Sequence, residues 1–310
     1  MSDSSINQPQ FQDADKAREY LELQVWPTGP VCPHCGSVKA PYTLKGKSNR
    51  PGLYKCADCR EPFTVTVGSI FERSKVPLNK WLLAVYLLCS SKKGMSSHQL
   101  HRMLGVTYKT AWFMTHRIRE AMGAPIAMLG TGGEPVEVDE TYWGKKKGAV
   151  KPRGGWSHKM KVVSLVERDG KKRSHVVANV TAKTLRPIMR AQISEDARLM
   201  TDESKVYTRV GYHFAGHEVV HHKSGEYSRG DVTTNTAESS FAILKRGLYG
   251  TFHHVGEQHL QRYATEFDFR WNYRTKLGFT DTQRANAVLS QIAGKRLTYR
   301  RTDGEGNSLN

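Results

Sequence analysis

Three acidic residues, each in a different local pattern, are the side chains of this chain best suited to chemistry. Asp139 lies in an alternating, strand-like run, 136–142, and Asp202 follows a short apolar run. Glu238 lies near the start of a long helical pattern. Two acids at strand ends and one on a helix can converge on divalent metal ions, and carboxylate-held ions cut or join phosphodiesters. The set therefore favours polynucleotidyl transfer.

Such chemistry uses two magnesium (or manganese) ions roughly 4 Å apart, bridged and flanked by carboxylate oxygens. Asp139 is the natural bridging ligand, because an acid inside a strand is costly unless it is paired or metal-bound. Asp202 has an alternative role as the N-cap of a following helix, 203–212, and Glu203 is its neighbouring rival. We favour the catalytic role for Asp202, because such sites form at strand ends.

Glu238 shares one face of its helix with Asn235 and Lys245, by their spacing. This face combines an amide, an acid and a cation that can meet a phosphate. The alternative is a solvated helix face. Glu226 and Asp231 are rival third acids, but both fall in a glycine-flanked loop.

The elements that must position these acids alternate between strand and helix patterns. Strands are predicted at 136–142, 161–168, 174–180, a run ending at 202, and 218–222, and helices at 184–194, 203–212 and from 236 onward. The order is three strands, helix, strand, helix, strand, helix. It predicts an α/β fold with a ribonuclease H-like mixed sheet and flanking helices.

Two Cys-x-x-Cys pairs precede this region, Cys32 with Cys35 and Cys56 with Cys59. Two such turns can aim four thiolates at one point, which is the ligand set of a zinc ribbon. The alternative is four free buried cysteines. Because four thiolates leave no open coordination position, the expected zinc ion is a single structural one.

A helix-turn-helix is predicted between the cysteines and the acids. One helix, 97–104, is stopped by Gly105, and a second runs over 108–122. Its exposed face is expected to carry Lys109, His116 and Arg117, which suit a DNA major groove. The alternative is an ordinary helical hairpin with a solvated basic face.

A glycine-rich loop, 145–161, contains seven lysines or arginines and no acid. It begins with Lys145, Lys146 and Lys147, which are candidates for clamping a DNA backbone, although a solvated charged loop has the same composition. The paired histidines at 221–222 and 253–254 lack clean metal-ligand spacing; one of them near the metals could shuttle protons.

Composition and length agree with this organisation. Lysine and arginine total 47 against 29 acids in 310 residues, so the net charge of +18 favours a nucleic-acid partner. No apolar run approaches the roughly 20 residues of a membrane span, and no export signal is present, so we expect a cytoplasmic protein. The expected domains are a helix and zinc ribbon (11–76), a helix-turn-helix region (77–129), a catalytic domain (130–300) and a disordered tail (301–310).

With these motifs assembled, the chain resembles bacterial insertion-sequence transposases of the group related to Merlin elements. The resemblance spans roughly residues 11 to 295 and rests on Cys-Pro-His-Cys at 32–35, Cys-Ala-Asp-Cys at 56–59, Val-Asp-Glu-Thr-Tyr-Trp-Gly at 138–144, Thr-Asp-Glu-Ser at 201–204, Ser-Gly-Glu-Tyr-Ser-Arg-Gly-Asp-Val at 224–232, Asn-Thr-Ala-Glu at 235–238 and Leu-Lys-Arg-Gly at 244–247. It implies an Asp-Asp-Glu set at Asp139, Asp202 and Glu238, with Asn235 and Lys245 as associated residues. It also implies magnesium, cleavage that frees 3′-hydroxyl ends, and strand transfer into target DNA.

The leading hypothesis is therefore a metal-dependent DNA transposase that acts on double-stranded element ends and target DNA. Synapsis of two ends would require a homo-oligomer on DNA. One alternative is a zinc-ribbon and helix-turn-helix regulator with an inactive nuclease-like domain. Another is a ribonuclease H-like nuclease that cleaves without joining.

Overall fold

The computed structural model describes residues 5–46, 48–123 and 125–298, and the tail expected at 301–310 lies outside these ranges. The chain divides into two compact units. The first contains the described residues up to Ser91, Met95–Met122 and those from Phe279 onward; the second contains Lys92–Gly94 and Gly123–Gly278. None of the helices within the described ranges combines the length and the apolar character that a membrane crossing requires.

In chain order, the helices are α1 (Pro9–Gln12), α2 (Ala14–Val25), α3 (Leu78–Ser90), α4 (Ser97–Leu104), α5 (Tyr108–Met122), α6 (Ala182–Gln192), α7 (Lys205–Gly211), α8 (Asn235–Gly247), α9 (Glu257–Asn272) and α10 (Asp281–Leu289). The strands are β1 (Tyr42–Thr43), β2 (Tyr54–Lys55), β3 (Pro62–Phe63), β4 (Pro135–Trp143), β5 (Met160–Glu167), β6 (Lys172–Val177), β7 (Arg198–Asp202), β8 (Gly216–Val220), β9 (Ser228–Arg229) and β10 (Val232–Thr233). A π-helical segment, Leu248–Phe252, continues α8.

The first unit combines a small antiparallel sheet, β1-β2-β3, with helices from both ends of the chain. The Asp13 side chain accepts hydrogen bonds from the backbone N–H groups of Asp15 and Lys16, which caps α2. The C-terminal helix α10 belongs to this unit, where the Tyr20 hydroxyl donates to Asn286 Oδ1 at 2.6 Å. This arrangement differs from the expected catalytic domain over 130–300, because that range includes α10.

The second unit is built on a five-stranded sheet of order β6-β5-β4-β7-β8. Strands β4, β5 and β6 pair antiparallel, whereas β4, β7 and β8 pair parallel. The expected mixed sheet with flanking helices, preceded by a zinc-ribbon-like cysteine cluster, is thereby confirmed. Strand β8 begins and ends two residues earlier than the sequence pattern predicted.

The two faces of β4 contact different helices because successive side chains point to opposite sides. Val136 and Val138 join a core with the buried residues of α6 and α7, including Leu185 and Tyr207. The opposite face carries Glu137, Asp139, Thr141 and Trp143. On that side Trp143 packs in a core with Phe241, Leu244 and other residues of α8 and α9. Helix α8 therefore lies on the same face of the sheet as Asp139.

Candidate active site

Two of the three predicted acids lie side by side at one edge of the second unit's sheet. The parallel pairing of β4 with β7 extends to Glu137 opposite Met200. Asp139 and Asp202 each lie two residues beyond this last pair. Since the carboxyl ends of parallel strands meet at one sheet edge, the register places both carboxylates at the position where sites form in open α/β sheets.

The electrostatic surroundings of Asp139 show that the acids interact. Burial first, and then the carboxylates of Glu140, Asp202 and Glu238, raise the pKa of Asp139 to about 7, against a backbone hydrogen bond that lowers it. That bond is donated by the Glu140 N–H to Asp139 Oδ1 at 2.7 Å. Negative charge thus accumulates here, and a cation would relieve it.

Asp202 is not the N-cap of the helix that follows it. Helix α7 begins at Lys205 with Ser204 as its N-cap, and the Ser204 N–H donates to Asp202 Oδ1 at 3.0 Å. The rival Glu203 instead accepts a hydrogen bond from the His222 N–H at 2.9 Å and lies 3.9 Å from Lys223 Nζ. Glu203 therefore holds the segment that follows β8.

Glu238 is the fourth residue of α8, and its side chain is 47% exposed. Asn235, also exposed, begins the helix, and the half-buried Lys245 lies two turns beyond Glu238 on the same face. Phe241 and Leu244 are buried against the sheet. Helix α8 thus has an apolar side in the core and an adjacent polar side that carries the three predicted residues.

The two rival third acids are engaged elsewhere. Glu226 accepts a hydrogen bond from the His221 N–H and pairs with Arg229 at 3.2 Å. Asp231 pairs with Arg198 at 2.9 Å, and that guanidinium holds the pKa of Asp231 below its usual range. Glu238, by contrast, is among the acids that raise the pKa of Asp139.

The ligand atoms of Asp139, Asp202 and Glu238 do not all lie within 4.8 Å of one another. Within the described residues, the only group of three or more His, Cys, Asp or Glu side chains whose ligand atoms all lie within 4.8 Å of one another is the cysteine set. Asp139, Asp202 and Glu238 therefore form an open arrangement of hard oxygen donors.

His222 lies closer to the predicted acids than its sequence pattern indicated. Its Nε2 atom lies 3.9 Å from Glu238 Oε1 and 3.5 Å from the Thr234 hydroxyl, and its ring packs on Tyr227. The available signal was its position just after β8, which pairs parallel with β7 and ends at the same edge as Asp202.

The four predicted zinc ligands come together in the first unit. The Sγ atoms of Cys32 and Cys59 are 3.7 Å apart, and those of Cys35 and Cys56 are 3.6 Å apart. Backbone N–H groups, first that of Cys59, lower the pKa of Cys56 to about 6, which favours the thiolate, the form that binds metal, at this position. Burial and the neighbouring thiols raise the pKa of Cys35 and Cys59. The arrangement fits a tetrahedral Cys₄ site rather than the alternative of four free buried cysteines, because the four sulfur atoms cluster and Cys35 is exposed.

The helix pair α4 and α5 is present, but two of its predicted DNA contacts are buried. Gly105 ends α4 in the left-handed conformation, with φ of 62°, and Lys109 is exposed as expected. His116 and Arg117 are only 1% and 7% exposed. The expectation that they lie on an exposed face is therefore wrong.

The reason for their burial is that α5 is surrounded by its own unit. Arg117 donates to the carbonyl oxygens of Ile70, Glu72 and Leu297, and its guanidinium lies over the Phe113 ring. The helix pattern alone could not reveal partners so distant in sequence.

The three lysines at the start of the basic loop differ in their surroundings. Lys145 and Lys147 are exposed. Lys146 is half-buried, with its Nζ atom 3.3 Å from the Ala178 carbonyl oxygen and 3.9 Å from Glu257. Lys145 and Lys147 thus expose their charged groups to solvent, whereas Lys146 ties the loop to Ala178 and Glu257.

Other cations gather on the same loop. Trp156 is 53% exposed, and Lys159 Nζ lies 4.3 Å from the centre of its ring. Burial lowers the pKa of His158, and four lysines, among them Lys151 and Lys145, add to this effect. An aromatic ring among clustered cations is a surface suited to a nucleic-acid backbone.

Comparisons with known proteins agree with this organisation. The family model of the ISXO2-like transposase domain matches residues 131–272, and that of the transposase zinc-ribbon domain matches residues 12–61. A protein of Halobacterium salinarum, described as an uncharacterized protein in transposable element ISH50, is 30% identical over 277 residues. That match covers 84% of this chain and 91% of the relative. The chain therefore belongs to the insertion-sequence transposases that join an N-terminal zinc ribbon to an ISXO2-like transposase domain.

Proposed function

We propose that this transposase cleaves double-stranded DNA at the ends of its mobile element and transfers the resulting 3′-hydroxyl strands into target DNA. The observation that carries the proposal is the convergence of Asp139 and Asp202 at one sheet edge, with Glu238 close enough to raise the pKa of Asp139. This convergence supplies the carboxylate oxygens that phosphodiester chemistry needs.

Asp139, Asp202 and Glu238 would hold two magnesium (or manganese) ions. Their donor set fits, because it consists of hard oxygens in a region of surplus negative charge. In sites of this chemistry the two ions lie roughly 4 Å apart. When bound, the ions would activate the attacking water or 3′-hydroxyl and stabilise the leaving oxygen.

The remaining residues of the site would bind and orient the DNA strand. Lys245 offers a cation on the Glu238 face of α8, where it would contact a phosphate, and Asn235 offers an amide beside the acid. Lys145, Lys146 and Lys147 in the second unit and Lys109 in the first would contact DNA backbones. We do not assign His116 or Arg117 to DNA, because both are buried.

The cysteine cluster would hold one structural zinc ion. Four thiolates complete a tetrahedral shell and leave no position for substrate. We also infer a homo-oligomer on DNA, because joining requires two element ends to be held together. The mass of the protein, measured by analytical ultracentrifugation with and without end DNA, tests this inference.

The deciding experiment measures magnesium-dependent cleavage and joining on DNA that carries the repeats flanking this gene. Wild type is compared with Asp139→Ala and Glu238→Gln, and with Glu226→Gln as a matched acid outside the site. We expect joined products from wild type and Glu226→Gln, no cleavage by the other two variants, and nearly unchanged DNA binding by all four.

The other outcomes separate the alternatives. Cleaved but never joined DNA would indicate a ribonuclease H-like nuclease. Binding without cleavage by any variant would indicate a regulator with an inactive nuclease-like domain. Loss of folding together with binding in Glu238→Gln would give Glu238 a structural role instead of a ligand role.

A further inference from the structure

Helix α8 is capped by a residue of the central strand. A helix begins with four backbone N–H groups that have no partner within the helix. The residue before α8, Thr234, makes no side-chain cap. Instead, the Thr236 and Ala237 N–H groups both donate to Glu137 Oε2, at 2.7 and 2.9 Å. The Asn235 N–H donates to the Thr233 hydroxyl, and the Glu238 N–H makes the first bond of the helix itself, to the Thr234 carbonyl oxygen.

Glu137 is fully buried and has further partners. Its Oε1 atom accepts from the Thr236 hydroxyl at 2.8 Å and from the Arg168 guanidinium at 2.9 Å. Arg168 in turn donates to the Asp231 carbonyl oxygen at 2.6 Å and to Met200 Sδ at 3.1 Å. One carboxylate therefore connects β4, the segment after β5, and the first turn of α8, with Arg168 balancing its charge.

This connection lies beside the proposed metal ligands. Glu137 is two residues before Asp139 on the same face of β4, and Ala237, which it holds, directly precedes Glu238. The separation between the carboxylates of Asp139 and Glu238 therefore depends on how α8 docks onto Glu137. Glu137 itself is turned into the core and is not needed as a ligand.

We propose that Glu137 is a positioning residue that sets the distance between Asp139 and Glu238 and thereby tunes divalent-metal affinity at the site. The inference rests on the proposed function. It assigns Glu137, with Arg168 and the Thr236 hydroxyl, the role that hydrogen-bonded partners behind metal ligands often have, where a substitution costs about 10–100-fold in affinity.

The test measures Mn²⁺ binding by electron paramagnetic resonance to zinc-loaded full-length protein without DNA. Asp139→Asn defines binding outside the site. We expect Glu137→Gln to weaken the site-specific Mn²⁺ affinity at least about tenfold. Thr236→Val, which keeps both backbone hydrogen bonds, should weaken it less. In cleavage assays, Glu137→Gln should require more Mg²⁺ for half-maximal rate, with DNA affinity unchanged.

A matched control separates positioning from general stability. Asp268 is another buried carboxylate of this unit, which accepts from the Ser174 N–H at 2.6 Å and pairs with Lys172 at 3.4 Å. Asp268→Asn should lower the melting temperature but leave Mn²⁺ affinity at the wild-type value.

Wild-type Mn²⁺ affinity in a folded Glu137→Gln would overturn the proposal and leave Glu137 as a helix cap only. If that variant does not fold, wild-type affinity in Thr236→Val would overturn it equally. Unchanged Mn²⁺ binding in Asp139→Asn is a different failure, because it would remove the metal site of the proposed function itself.

Discussion

The pKa of Asp139 in the metal-free protein is well above that of an ordinary aspartate. Its pKa of about 7, against an ordinary value of 3.8, means that the folded protein holds this proton more tightly than the unfolded chain does. The contribution to stability is therefore fully present below about pH 4 and is lost as the pH rises through about 7. The two pKa values differ by the equivalent of about 4 kcal/mol at most.

We accordingly predict that Asp139→Asn stabilises the metal-free protein, and that the gain grows from pH 5.5 to about 7 and then levels off. Urea unfolding of zinc-loaded protein without magnesium measures this. Magnesium at pH 8 should raise the stability of wild type and not that of Asp139→Asn. A gain that is independent of pH would contradict the pKa argument.

Asp231 provides a control of opposite sign. The Arg198 guanidinium lowers its pKa, so its charged form is the one that the fold favours. Asp231→Asn should therefore lower stability at neutral pH, and this loss should vanish as the pH falls through the native pKa of Asp231.

Individual residues were predictable where the local pattern determined their surroundings. Two matched Cys-x-x-Cys turns favour a shared metal, and an acid within an apolar strand is costly unless it is paired or metal-bound. The burial of Arg117 was not predictable, because its acceptors at Ile70 and Leu297 come from distant segments. The capping role of Glu137 was not predictable either, because its partners in α8 lie about one hundred residues later in the sequence.

At the scale of elements, the zinc ribbon has little regular structure of its own. Strands β1, β2 and β3 have two residues each, and the packing around them relies on Trp26, Tyr54 and Phe63. So small a core rarely folds without a metal or another cross-link. The thiolate cluster must therefore supply much of the stability of this part.

Cys56→Ser is expected to lose zinc and unfold the ribbon, because binding to four thiolates is coupled to folding. Metal analysis should show less than one zinc per chain, and limited proteolysis should cut near 28–66. Cys89→Ser, which alters a buried cysteine of α3, should keep one zinc. Full zinc content and wild-type protease resistance in Cys56→Ser would refute a structural zinc site.

The strands and helices of the second unit could be predicted from the sequence because apolar residues recur with different periods in strands and in helices. The alternation in 136–142 and the helical spacing from 236 onward predict the strand and the helix that carry Asp139 and Glu238. Some observed helix ends differ from the predicted ones by one or two residues because a capping side chain fixes them. Helix α6, for example, begins two residues earlier than predicted because Thr181 caps it. The pairing of β4 with β7, which juxtaposes Asp139 and Asp202, is visible only in the structure.

At the scale of the whole molecule, the net charge of +18 predicts binding to DNA that weakens with salt. Replacing exposed Lys145 and Lys147 together with alanine should weaken DNA binding at all sequences. It should also reduce the slope of log affinity against log salt by up to about 2, since each phosphate contact contributes about 0.9. Fluorescence anisotropy at several salt concentrations measures both effects.

The double Lys→Arg variant at the same positions is the matched control, because it keeps both charges. It should retain the wild-type slope. A slope that is unchanged in the alanine variant would mean that this loop does not contact the DNA backbone.

The division into two units could not be predicted from the sequence, because it depends on the C-terminal segment packing in the same unit as the N-terminal part of the chain. Nothing local in α10 indicates that it joins the first unit, where Asn286 meets Tyr20 across 266 positions of sequence. The glycine-rich connector at 130–133 favoured a boundary at residue 130, and no local pattern marks the return of the chain near Gly278.

The first unit is built from segments at both ends of the chain, and this affects the order in which its parts are synthesised. Its N-terminal part leaves the ribosome first, but residues from Phe279 onward, including the partners of Tyr20 and Arg117, are translated last. The segments of the second unit are all available before then. A gene copy with a premature stop codon after Gly278 would therefore encode Asp139, Asp202 and Glu238 and still lack α10, so intact candidate acids do not by themselves indicate an intact protein.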